Sequence, residues 1–218
     1  MRMQHKFERH FSGVTDLIRE GHTYLTDKTV RNFRGVLERT GATNIFEIGF
    51  NAGHSSFCFL QLDTEISLHS VDNARHHYTE ACMVKMKEIF PDRFTYEVLD
   101  SNSIEELGEY DLVFIDGDHH IDSLRHDYNL CRDNGIQWIL VDDYYDPTIR
   151  DFVQDMHNDT SGENPYTIVE HYQYENELQF RRPMSRPELQ VTEMVLLQRE
   201  DSEEDVEARV DDLESALA

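Results

Sequence analysis

Five times between Asn44 and Tyr144 a short apolar run stops at an acid or a small polar residue. The runs are "NIFEIGF", "ISLHSVD", "FTYEVLD", "YDLVFIDG" and "IQWILVDDY", and segments with helical spacing follow four of them. Continuous apolar strands alternating with helices require a mostly parallel sheet covered on both faces. "YTIVEHYQ" and "TEMVLLQRE" add two late strands. The expected fold is α/β: a Rossmann-like, doubly wound, mostly parallel sheet of about seven strands, with an antiparallel late strand and helices on both faces.

The helices carry their own punctuation. Thr26 is placed to N-cap a helix that carries Val30, Phe33, Val36 and Leu37 on one face, and Gly41 is placed to end it. A helix over "HHYTEACMVKMKEIF" is stopped by Pro91, and Pro147 opens the helix "PTIRDFVQDMHN". The chain divides into an N-terminal helical segment over 1–40 that could act as a lid, a Rossmann-like domain over 41–199, and an acidic tail over 200–218.

Composition narrows the function. No stretch has the roughly 20 apolar residues of a membrane helix. The opening "MRMQHKFERHFSG" lacks the apolar run of a secretory signal, so the expectation is a cytoplasmic protein. Cys58, Cys82 and Cys131 have no metal-type spacing and read as buried neutral thiols. A net charge of −24 argues against nucleic acid, whose phosphates call for Lys and Arg. The basic residues are four Lys and sixteen Arg. Few Lys amid abundant acids fits a surface adapted to high salt, where screening suppresses self-repulsion.

Each of the five central strands ends in polar residues, on the edge where open α/β sheets bind ligands. After the first come Glu47, Gly49, Asn51, Gly53 and Ser55 in "FEIGFNAGHSS". The glycines permit a tight turn and close approach, and the amides of the next helix favour an anionic group. By itself this could be a plain strand-to-helix turn, and it does not match GxGxxG. The second strand ends at Asp72, which is placed for two ribose hydroxyls, beside Asn73. The third ends at Asp100, Ser101 and Ser103, the fourth at Asp116, and the fifth at Asp142 and Asp143.

Together "EIGFNAGHSS", "SVD", "YDLVFIDGDHHIDSLRHDY" and "WILVDDY" resemble a class I S-adenosylmethionine-dependent methyltransferase. The branch is the small-molecule O-methyltransferase-like one that carries "IDGDH" after its fourth strand. The resemblance is close over about residues 25–145. It implies that the Gly49–Gly53 turn passes under the methionine part of S-adenosylmethionine. Ser55 and its neighbouring backbone would hold the carboxylate. Glu47 would support the turn, or the amino group through water. Asp72 would take the ribose hydroxyls, and Asn73 and Asp100 to Ser103 would border the adenine. Asp116 would face the amino group and the reaction centre.

Two catalytic modes follow from the resemblance. Asp116, Asp142 and Asp143 match positions where some relatives bind Mg²⁺ or another divalent cation, although catechol-type relatives usually carry Asn where Asp143 stands. Carboxylates are hard ligands suited to that role. Alternatively His119, or less readily His120, acts as a general base. The acceptor would be a hydroxyl of a small molecule or glycan. Tyr24 and Thr26 are lid candidates, and Arg181, Arg182 and Arg186 could recognise an anionic acceptor or a partner. An N-terminal helical arm could support a homodimer. The alternatives are a non-catalytic Rossmann-like module and an NAD-dependent oxidoreductase.

Overall fold

The computed structural model describes residues 2–14, 25–159, 161, 164–175 and 191–200. Tyr24, the three arginines of 181–186 and the acidic tail over 201–218 lie outside the described residues.

The first helix, α1 (Met3–Phe11), was expected only as part of a general helical segment. Phe7 and Phe11, one turn apart, stack at 4.3 Å and are both buried. α2 (Asp27–Thr40) has the expected ends. Thr26 accepts from the Thr29 amide at 3.1 Å, and Gly41, at φ +66°, donates to the Leu37 carbonyl at 2.8 Å.

The chain then runs β1 (Asn44–Ile48), α3 (His54–Leu62), β2 (Ser67–Asp72), α4 (Thr79–Ile89), β3 (Phe94–Val98), β4 (Leu112–Ile115), α5 (Ile121–Asp133), β5 (Trp138–Val141), α6 (Pro147–His157), β6 (Tyr166–Glu175) and β7 (Val191–Arg199). A single 3₁₀ turn, Ser101–Ser103, follows β3. The seven strands are ordered β3-β2-β1-β4-β5-β7-β6. β1 to β5 pair in parallel, and β7 pairs antiparallel with both β5 and β6. The helix expected from His76 starts later, at Thr79. Tyr78, just before it, is engaged by the turn after β1, and His76 stacks on Tyr78 at 5.3 Å.

Period-two alternation sends side chains to two cores. Ile45, Leu112, Phe114 and Leu140 join α1 to α4 on one face. Phe46, Val113, Ile115, Ile139 and Val141 join α5 and α6 on the other. Glu47 shares the face of Ile45, so the sheet delivers this carboxylate beneath α3. All three cysteines are free and buried. Among the described residues no helix is long and apolar enough to cross a membrane.

From β1 the chain winds outward through β2 to β3, then returns to place β4 on the other side of β1. That reversal makes a topological switch point at the carboxyl ends of β1 and β4, where open sheets form their ligand crevice.

Candidate active site

Glu47 is fully buried and anchors the site without facing the crevice. Ser55 donates to its Oε1 at 2.5 Å, Ser70 donates to its Oε2 at 2.7 Å, and Ser56 also donates to Oε2. Burial raises its pKa, and the three hydroxyls pull it back down. One carboxylate thus fastens β1 to β2 and to the first turn of α3. Of the two roles expected for Glu47, this geometry favours support of the turn. The Ser55 hydroxyl points inward, so its backbone amide, in the first turn of α3, is what it can offer a ligand.

The glycines answer first to the protein's own packing. Gly49 has φ +97°, and a Cβ there would lie 1.9 Å from the Asp116 carbonyl oxygen. Only glycine lets the chain leave β1 against the backbone that leaves β4. Gly53 has φ +82°, and a Cβ there would press on the Phe50 ring at 2.4 Å and on Met86 at 2.8 Å. Between them Asn51 sits at φ +51°, a conformation Asn tolerates, and Tyr78 donates to its side-chain oxygen at 2.7 Å.

Asp72 closes this turn from β2. Its Oδ2 accepts from the Phe50 and Asn51 amides at 2.9 and 2.8 Å, and its Oδ1 accepts from Ala74 at 2.8 Å. Asn73 is exposed beside it. Asp100 organises the next turn, accepting from the Asn102 amide at 3.0 Å, while the Ser103 hydroxyl donates to the Asp100 carbonyl at 2.7 Å. Ser101 is half-buried and Ser103 exposed. The sequence-predicted residues after three strands therefore lie at one edge of the sheet, with Glu47 buried beneath them.

At the switch point the acids converge. Carboxylate oxygens of Asp116, Asp142 and Asp143 lie within 4.8 Å of one another. Asp116 follows β4 and its amide bonds Ile48, whereas Asp142 follows β5 and its amide bonds Ile115. Asp143 takes φ +53° there, and Asp146 caps α6 through the Thr148 amide at 2.8 Å. Burial pushes the Asp116 carboxyl well above the ordinary range, and the charges of Asp142 and Asp143 push it further. Such a cluster retains a proton or takes up a cation.

His119 reaches the same cluster, with Nε2 at 2.8 Å from Asp143 Oδ2. That hydrogen bond raises its pKa, against the effect of burial. With Nε2–H given to Asp143, Nδ1 is left as the basic nitrogen. His120 is exposed at the N-cap of α5 and makes no ion pair among the described residues. His54 is buried and stacks on Phe7 at 3.9 Å, tying α1 to the start of α3. Sequence reasoning missed Tyr145. It is half-buried beside the acid cluster, and burial together with the charges of Asp143, Asp142 and Asp146 pushes its pKa up to about 12. The doubled "DDYY" was the available signal, but sequence spacing does not tell which tyrosine turns toward the acids.

Residues 46–144, the segment that carries the groups from Glu47 to Asp143, match the model of a methyltransferase-domain family. The chain carries a methyltransferase domain. The nicotinamide alternative has no support beside it. No curated protein sequence matches the chain. Solved structures reproduce the class I methyltransferase fold. The O-methyltransferase TomG of Streptomyces achromogenes, involved in tomaymycin synthesis and solved with S-adenosylmethionine, is 14% identical, with 92% of this chain and 91% of that chain covered and a TM-score of 0.61. The O-methyltransferase of Bacillus cereus, solved with S-adenosylhomocysteine, is 12% identical, with 90% of each chain covered and a TM-score of 0.63. The N-methyltransferase NodS of Bradyrhizobium japonicum, solved with S-adenosylhomocysteine, is 12% identical, with 92% and 100% covered and a TM-score of 0.57. At these identities the likeness of this methyltransferase to each structure is one of fold.

Proposed function

We propose that the protein is an S-adenosylmethionine-dependent O-methyltransferase acting on a hydroxyl of a small molecule or glycan, with a divalent cation held by Asp116, Asp142 and Asp143. The observation that carries the reading is the convergence of those three carboxylates at the switch point, beside the turn after β1. The donor set suits both groups. Hard oxygen ligands suit Mg²⁺ or Mn²⁺. An edge rich in acids suits the sulfonium and ammonium of S-adenosylmethionine. When bound, the cofactor supplies an electrophilic methyl group, and the metal lowers the pKa of an acceptor hydroxyl.

The chain's own residues position the reactants. The Gly49–Gly53 turn and the Ser55 amide hold the methionine end. Asp72 takes the ribose, with Asn73, Asp100, Ser101 and Ser103 around the base. Asp116 stands between cofactor and acceptor, and proximity in a water-poor crevice supplies most of the rate. A lid role for the segment over 1–40, and its support of a homodimer, belong to the same proposal.

The contact between His119 and Asp143 favours a second reading, in which Asp143 orients His119 and Nδ1 takes the acceptor proton. Transfer of labelled methyl from S-adenosylmethionine to a panel of phenols, sugars and glycosides, with Mg²⁺ or with chelator, separates the two. Activity that needs the metal and survives in His119→Ala supports the cation. Metal-independent activity that falls about 100-fold or more in His119→Ala supports the imidazole. Absence of transfer to any hydroxyl, with transfer to amines instead, contradicts O-methylation.

A further inference from the structure

The turn Ser101–Ser103 has no buried residue of its own, so another element must fix its position. α5 grips it at three points. His126 Nε2 lies 3.0 Å from the Ser101 carbonyl oxygen. The Asn102 side chain donates from Nδ2 to the Ser123 hydroxyl at 3.4 Å. The buried Asp127 carboxylate packs beside the Ser101 side chain. His126 thus holds this serine by its carbonyl, and Asp127, the next residue on α5, backs its side chain.

Asp127 is unusual among the acids of this chain. It is 1% exposed, and its Oδ1 has no hydrogen-bond partner among the described residues. Its Oδ2 also lies beneath the loop after β4, 3.9 Å from where a Gly117 Cβ would sit. The side chain therefore bridges the turn after β3 and the loop that carries Asp116. An apolar residue or a serine could pack α5 against the sheet at lower cost, because a buried carboxylate with an unpaired oxygen is destabilising. Retaining an acid here makes sense if it fixes the turn accurately.

We propose that Asp127 and His126 are positioning residues that clamp the Ser101–Ser103 turn and so set the enzyme's selectivity for the adenine of its cofactor. The inference rests on the cofactor reading above, in which that turn borders the base. Neither residue touches the reacting atoms. The clamp acts through Ser101.

The test is calorimetric titration with S-adenosylhomocysteine and with S-inosylhomocysteine, whose base is hypoxanthine. Wild type, Asp127→Ala, Asp127→Asn and His126→Ala are compared, with thermal unfolding of each to verify folding. Wild type is expected to prefer the adenine ligand. Asp127→Ala and His126→Ala should each lose about three- to tenfold of that preference, the worth of one hydrogen bond. Asp127→Asn, which keeps the shape and polarity of the side chain behind Ser101, should recover most of it. His126→Ala carries the test if Asp127→Ala fails to fold. A folded variant of either residue with the wild-type ratio of affinities overturns the clamp while leaving the cofactor reading intact. Failure of folded wild type to bind S-adenosylhomocysteine overturns both.

Discussion

Gly49→Ala gives the sharpest structural prediction. The new methyl would lie 1.9 Å from the Asp116 oxygen, 2.5 Å from its carbonyl carbon and 2.9 Å from the Gly117 nitrogen. All three atoms are backbone, so no rotamer change can relieve the clash. The first distance is about 1.5 Å short of the 3.4 Å at which ordinary contact begins. β1 and β4 must part, straining the bonds from Gly49 to Val71 and from Asp116 to Ile48. A positive φ on alanine costs about 1–2 kcal/mol, and overpacking adds about 1–3 kcal/mol. The total of roughly 2–5 kcal/mol corresponds to a fall in Tm on the order of 5–20 °C for a chain of this size. Displacing Asp116 by about 1 Å should also cost about 100-fold in turnover. Gly41→Ala is the internal control. Gly41 also has positive φ, but nothing lies within 4 Å of its Cβ position, so the loss there is confined to about 1–2 kcal/mol of backbone strain. Circular dichroism melts and methyl-transfer rates measure both variants. Equal Tm and equal activity for the two would refute the argument that Gly49 is required by contact with the Asp116 backbone.

Three further outcomes are expected. Glu47→Ala leaves the hydroxyls of Ser55, Ser56 and Ser70 without their acceptor and should cost at least about 3 kcal/mol in urea unfolding; Glu47→Gln should cost less, and a loss under about 1 kcal/mol for Glu47→Ala would contradict the anchoring role. Burial lifts the Asp127 carboxyl from 3.8 to about 6, so the folded chain binds an extra proton between those values, and this group's contribution to stability falls as pH rises through 6. Asp127→Asn removes that loss, so its stability relative to wild type should improve by up to about 3 kcal/mol between pH 3.5 and pH 8; parallel stability–pH curves would contradict it. The −24 net charge predicts that Tm rises as KCl is raised from dilute buffer toward molar levels; an unchanged Tm would contradict adaptation to salt.

Much of the fold was legible because its strands are short, apolar and bounded by polar residues. The ends of α2 and the strand-to-helix transition at His54 followed from local chemistry alone. The gathering of polar residues at one edge was legible for the same reason, since every parallel strand delivers its last residues to one side. Direction of side chains was less accessible. Ser55 and Glu47 face each other inside the protein because Glu47 shares a sheet face with Ile45, and the packing of α3 decides that contact. The glycine pattern suggested room for a ligand, whereas Gly49 makes room for the backbone after β4. Tyr145 escaped notice because spacing does not tell which tyrosine of "DDYY" turns toward the acids, and the roles of His126 and Asp127 did because they meet the turn after β3, a separate element.

The central claim is a cofactor site at the carboxyl edge adjoining a metal-binding triad of acids. Calorimetric titration of the protein with S-adenosylhomocysteine, with and without Mg²⁺, tests it most directly, in wild type, Asp72→Ala and Asp142→Asn. The account predicts micromolar binding by wild type, its loss in Asp72→Ala, and a separate heat of Mg²⁺ binding that disappears in Asp142→Asn. A folded wild-type protein that takes up neither S-adenosylhomocysteine nor Mg²⁺ would contradict it.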